Sequence, residues 1–251
     1  MAKISCDTGT GICAAPALDD ATSVDDTAKT ESALVYVGDP MCSWCWGIAP
    51  ALRRIQDHCK QRGLGFSIVL GGLRPGGGDA WDARFKAFLR HHWTEIGAAS
   101  GQPFSFGILD LDHFTYDTEP ACRAVVTVRH MLGSSAHSRQ LYDVFAAIQH
   151  KFYVDGADPT RLGFYEDIVE AAEIDFSRFS ELFASDEARE WTRGDFAKSR
   201  DWGVRGFPTM LLKTADHLVP IATGFIGAED LIDKVDTTTR TFGLSGETRS
   251  A

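Results

Sequence analysis

Asp39-Pro40-Met41-Cys42-Ser43-Trp44-Cys45-Trp46-Gly47 is the stretch on which the fold and chemistry of this chain turn. Two cysteines stand three residues apart, just after the apolar run Ala33 to Val37 and just before a helical pattern. Residues 33–38 predict a buried strand. Residues 48–62 predict a helix, because Ile48, Leu52, Ile55 and Cys59 fall on one face. Gly63 is placed to stop it, and residues 66–70 predict the next strand. Strand, helix, strand in that order argues for a parallel crossover unit.

The position of the cysteine pair carries chemistry. Residues three apart on a helix share a face, so Cys42 and Cys45 are placed either to bond or to part as two thiols. At a helix N-cap, unpaired N–H groups and the helix dipole favour a Cys42 thiolate, which attacks and also leaves well. Cys45, one turn in, is then the thiol that resolves a mixed disulfide. Ser43 and Trp44 bring no cation, so extreme thiolate stabilisation is not expected, but a pKa below the free-thiol value of about 8.5 is. Asp39 is the nearest titratable group, either a turn residue before Pro40 or a proton acceptor for Cys45.

Two other readings compete. Half a zinc site needs two more ligands, but Cys6 and Cys13 stand seven apart and no two histidines are separated by three to five residues. Two buried hydrophobic cysteines are the blander alternative. The aromatic, turn-rich setting favours a redox pair over both.

Downstream, Gly71 to Gly78 lacks the Lys-Ser/Thr ending of a phosphate loop and predicts a flexible linker. Residues 79–200 are helical in pattern. Trp81, Phe85, Phe88, Leu89, His92, Trp93 and Ile96 form one stripe, and Thr118-Glu119-Pro120 opens a helix that Gly133 closes. Leu141, Phe145, Ile148 and Phe152 mark another. Strands return at 209–213 and 218–222, Pro220 putting the second at an edge, and a helix follows from Gly227.

With the cysteine pair and the run Gly203 to Thr209 both in view, the chain resembles the thioredoxin superfamily, and more narrowly its DsbA-like branch. The wording of 39–47, and of Tyr116 to Val125, is similar to a group of soluble bacterial DsbA-family proteins described as predicted protein-disulfide isomerases. The resemblance covers about residues 33–236. It implies an α/β thioredoxin-like fold split by a helical insertion, with 33–78 and 201–240 forming the thioredoxin-like part and 79–200 the inserted lobe. It implies a cis Pro208 beside the cysteines, with the Phe207 backbone exposed for an extended substrate to pair with. It implies dithiol–disulfide exchange with protein or small-thiol substrates, no metal and no bound cofactor, and a redox partner such as glutathione or another thiol protein. The related kappa-class glutathione transferases and chromene-carboxylate isomerases share the inserted fold but generally carry Ser at the first cysteine. A glutathione-dependent transferase or isomerase is therefore the alternative.

Of 251 residues, 44% are apolar and 24% charged, which is ordinary for a globular protein. A net charge of −10 argues against nucleic-acid or anionic-membrane binding. No apolar run nears the roughly 18 residues of a membrane span. The start lacks a basic n-region and an unbroken apolar stretch, so a cytosolic protein is expected. Residues 1–32 carry Lys3 and Lys29 against Asp7, Asp19, Asp20, Asp25, Asp26 and Glu31, with no aromatic residue, and predict a disordered polar tail. Cys6 and Cys13 are expected there as exposed thiols, with a regulatory disulfide as the other possibility. Cys59 and Cys122 are expected in the core. Trp44 and Trp46, beside a reactive thiol, are expected to form part of a substrate surface.

Overall fold

The computed structural model describes residues 5–14, 32–133 and 139–244. Its main sheet is built around β3 (Ala33–Gly38), whose residues from Leu34 onward are all buried. A strand with neighbours on both sides and helices over it has no face to give to water, hence its continuous apolar run. β3 runs parallel to β4 (Gly65–Leu70) and antiparallel to β6 (Thr209–Lys213), which pairs with β7 (Leu218–Thr223) in the order β4-β3-β6-β7. Pro220 lies in β7, at the sheet's edge, where a missing N–H costs least.

Two helices connect β3 to β4, where the sequence suggested one. α1 (Ser43–Gly47) is a single turn, and α2 (Ala49–Gln61) follows after Ile48. Pro50 accounts for the break, because it cannot donate to the carbonyl four residues back, that of Trp46. The Gln102 side-chain amide takes that carbonyl instead, at 3.0 Å. α2 buries Leu52, Ile55 and Cys59 and packs against α9 (Ala228–Thr241). Burial pushes the Cys59 thiol up to about 12, as befits an inert core cysteine.

Among the described residues, six α-helices lie between β4 and the two-residue β5 (Gly206–Phe207), in the span where a helical insertion is expected. They are α3 (Ala83–Ser100), α4 (Glu119–Leu132), α5 (Arg139–Tyr153), α6 (Glu166–Ala171), α7 (Phe176–Ala184) and α8 (Asp186–Asp201). Asp82 caps α3 by accepting from the Phe85 N–H, and Gly101, at φ 75°, ends it. The lobe's core is aromatic. Trp93 meets Phe104, Phe152 and Tyr153 at centroid distances of 5.9, 5.8 and 5.2 Å.

The lobe also protects the sheet. Arg129 of α4 and Asp195 of α8 form a two-pronged ion pair, with both hydrogen bonds at 2.8 Å. Asp195 accepts the Leu70 N–H at 2.9 Å, and Arg129 donates to the Ile68 carbonyl at 3.1 Å. Both backbone groups belong to the edge strand β4, so the pair occupies positions an aggregating strand would seek.

Two expectations fail. The tail was expected to be disordered through residue 32, but residues 5–14 form a hairpin; residues 1–4 and 15–31 lie outside the described residues. β1 (Ser5–Asp7) pairs with β2 (Ile12–Ala14), and β2 pairs antiparallel with β5. Its stability comes from docking, which a search for local periodicity misses. Asp7 accepts from the Gly9 and Thr10 N–H groups at 2.7 and 2.9 Å, shaping the turn. Cys13 is fully buried and disulfide-bonded, not an exposed thiol.

The glycine-rich run 71–78 is likewise no loose linker. Leu73 and Arg74 are buried, and Arg74 pairs with Asp79. A Cβ on Gly71 would sit 2.0 Å from the Phe207 ring, so glycine here admits that ring against the backbone. No described helix is long and apolar enough to cross a membrane.

Candidate active site

β3 delivers the chain into a turn at Asp39–Cys42, closed by the Cys42 N–H donating to the Asp39 carbonyl at 3.0 Å. Cys42 is the N-cap of α1. Cys45 lies one turn further in, and both are free thiols. From the far end of the chain, the Phe207–Pro208 peptide bond is cis, and the Phe207 carbonyl lies 3.7 Å from the Cys42 sulfur. The structure thus brings together Cys42, Cys45, Phe207 and Pro208, from segments more than 160 residues apart in sequence.

The lobe fixes this arrangement. The Tyr116 hydroxyl donates to the Met41 carbonyl at 2.7 Å, holding the turn before the nucleophile. The Trp46 indole N–H donates to the Pro103 carbonyl at 2.9 Å, and its ring stacks on Tyr153. Trp46 is therefore buried and fastens the motif to the lobe, against the expectation of an exposed substrate surface. Trp44 is buried as well, with Phe225 at 5.4 Å. Its surroundings become apparent only when β2 and the residues after β7 are seen together over the motif.

Asp39 is fully buried. Its carboxylate accepts the Met41 N–H at 2.8 Å, the Leu73 N–H at 2.7 Å and the Cys122 thiol at 3.3 Å. It therefore joins the motif turn to the run 71–78, and the thiol it meets is Cys122. Burial raises its pKa, against the lowering by the Leu73 and Met41 hydrogen bonds. Tyr116, Gln102 and Cys122 were not singled out for the site. Only the wording around Tyr116 to Val125 gave a signal for two of them.

The Cys42 thiol departs from the expected direction. The Cys45 backbone N–H lowers its pKa, as an N-cap position should, but complete burial outweighs this and pushes it well above the ordinary value. The Cys45 side chain and the Asp39 charge push it the same way. Only the thiolate reacts, so a raised pKa means slow reaction at neutral pH. Alkylation of Cys42 by iodoacetamide is expected to climb through about pH 9 without reaching a plateau, past the free-thiol value of about 8.5. Asp39→Asn removes one of the charges that hold the pKa up, so alkylation at neutral pH is expected to speed up. Slower alkylation and slower disulfide exchange in that variant would instead assign Asp39 as a proton acceptor.

No protein-family model and no curated protein sequence matches the chain. Solved structures do. A "putative protein disulfide isomerase" from Nitrosomonas europaea is 34% identical, with a TM-score of 0.74 over 84% of this chain and 99% of that one. The cytosolic disulfide reductase DsbM from Pseudomonas aeruginosa is 23% identical, with a TM-score of 0.66 over 83% and 99% of the two chains. DsbA from Chlamydia trachomatis shares the fold at 15% identity and a TM-score of 0.56, over 89% and 98%. Fold and a full-length relative agree, and the chain belongs to the DsbA-like family of thioredoxin-fold disulfide oxidoreductases.

Proposed function

We propose that this protein exchanges dithiols and disulfides, with Cys42 as nucleophile and Cys45 as resolving thiol. In the reducing direction, the Cys42 thiolate attacks a substrate disulfide, forming a mixed disulfide and releasing one substrate thiolate. Cys45 then attacks the Cys42 sulfur, the second substrate thiol leaves, and two electrons have passed to the substrate. A Cys42–Cys45 disulfide remains, and an external dithiol or two molecules of a thiol such as glutathione return it to the starting state. The observation carrying this reading is the Cys42 sulfur at the α1 N-cap, 3.7 Å from the Phe207 carbonyl, with Cys45 one turn behind. Phe207 and Pro208 would position an extended substrate backbone beside that sulfur.

DsbM has been crystallised with glutathione, which makes a small thiol a reasonable partner to test here. We also place the protein in the cytosol, which subcellular fractionation checks. The test of mechanism is Cys45→Ser. Without the resolving thiol, mixed disulfides at Cys42 are expected to accumulate and turnover to fall to background. Retained turnover with glutathione and a small electrophile would support a glutathione-dependent transferase or isomerase.

A further inference from the structure

We propose that the N-terminal hairpin is a tethered substrate of this active site, with Cys13 part of a second redox centre that exchanges with Cys42. The proposal rests on the reading of Cys42 and Cys45 as a redox pair.

The backbone edge that an incoming extended substrate would use is already taken. Cys13 lies opposite Phe207 and Ala14 opposite Gly206, in antiparallel register. Directly opposed residues in such a ladder have Cα atoms about 4.5–5.5 Å apart. Cys13 thus stands across from the residue whose carbonyl touches the Cys42 sulfur, and its own sulfur is 3.8 Å from the Ser43 hydroxyl. A disulfide-bonded cysteine on a strand laid along β5 is the arrangement a protein substrate would present.

The seat is built for this segment. A Cβ on Gly206 would fall 2.2 Å from the Ile12 side chain, and one on Gly224 would fall 2.3 Å from the Thr10 carbonyl. Gly11, at φ +69°, leaves room for Phe225, whose N–H donates to the Gly11 carbonyl at 3.2 Å. With the hairpin seated, Cys42 has no exposed surface and Trp44 only 2%. The Trp44 indole N–H is buried with no acceptor among the described residues. Such a group normally finds a partner, so it marks a place where a different occupant of the seat has a hydrogen bond to gain.

The exchange balances within the chain. The Cys42 thiolate attacks the Cys13 sulfur, a Cys42–Cys13 bond forms, and the former partner sulfur of Cys13 leaves as a thiolate that takes a proton from water. Cys45 attacks the Cys42 sulfur, and Cys13 leaves as a thiol. The core pair has been oxidised and the hairpin reduced by two electrons, with no outside oxidant. A hairpin of three-residue strands is marginal by itself, so loss of the Cys13 disulfide favours leaving the seat and opening Cys42 to an outside thiol. In a reducing compartment disulfides are mostly transient and redox-active, which suits this role.

The test uses full-length protein. In the resting chain, peptide mapping is expected to find Cys13 in a disulfide and Cys42 as a free thiol, and Cys13 mapped as a free thiol overturns the proposal. In purified Cys45→Ser without added substrate, mapping is expected to find Cys13 joined to Cys42. The same variant is then treated with oxidised glutathione. A glutathione adduct at Cys42 with Cys13 never joined to it overturns the tethered-substrate proposal and leaves the redox reading standing. Capture of neither overturns both. Gly11→Val, which strains the hairpin turn and strikes Phe225, is expected to raise the alkylation rate of Cys42 at least tenfold. A rate equal to that of the unaltered protein overturns the covering role.

Discussion

Cys42→Ser is expected to abolish disulfide exchange, lowering the rate of insulin reduction by at least about a thousandfold, as removal of a covalent nucleophile does. The hydroxyl has nearly the same shape but forms no disulfide, so no mixed intermediate exists for Cys45 to resolve. The fold should survive. The substitution adds a buried hydroxyl next to the Phe207 carbonyl, which lies where it can accept, and the cost in stability is expected to stay below about 2 kcal/mol. Near-ultraviolet circular dichroism on the same sample separates lost chemistry from lost structure. Substantial insulin reduction by the serine variant would remove Cys42 from its assigned role.

Asp195→Ala is expected to cost about 3–5 kcal/mol, with a fall in Tm of roughly 10 °C. The change strips the guanidinium of Arg129, four-fifths buried, of both its 2.8 Å hydrogen bonds. It also leaves the Leu70 N–H of β4 without its acceptor. A stranded charge costs far more than the pair was worth, because the penalty of its burial is no longer offset. Leu70 ends the strand just before the run that carries Leu73 onto Asp39, so loosening there is expected to reach the motif turn late, as unfolding and not as altered chemistry. Urea unfolding measures the effect, and a loss under about 1 kcal/mol would show that the clamp is dispensable.

What sequence could and could not foretell follows from where each segment gets its stability. β3, β4 and α4 declare themselves through their own residues: an apolar run, a proline in the first turn, a glycine stop. The Cys42–Cys45 pair is legible because its chemistry depends on residue type at fixed spacing, and Pro208 through the family resemblance that the pair and the run Gly203 to Thr209 carry. The hairpin at 5–14 has three-residue strands and no apolar period. Its stabilising contacts are with β5 and Phe225, about 200 residues away. The run 71–78 looks loose because glycine usually signals freedom, but Gly71 is there to admit the Phe207 ring. An aromatic such as Trp46 beside a reactive thiol suggests part of a substrate surface. The burial of Trp46 depends on Pro103 and Tyr153, which only the folded lobe brings to it. The Cys42 pKa went the other way for a related reason. An N-cap position is visible in sequence, whereas the cover that desolvates the sulfur is not.

The redox reading is tested most directly by equilibrating the unaltered protein in glutathione buffers of graded ratio, quenching with acid and mapping the disulfides. The account predicts a bond between Cys42 and Cys45 that forms as the buffer becomes oxidising and disappears reversibly as it becomes reducing, with Cys59 and Cys122 remaining free thiols throughout. Failure of Cys42 and Cys45 to join at any ratio, in protein that remains folded, would contradict it.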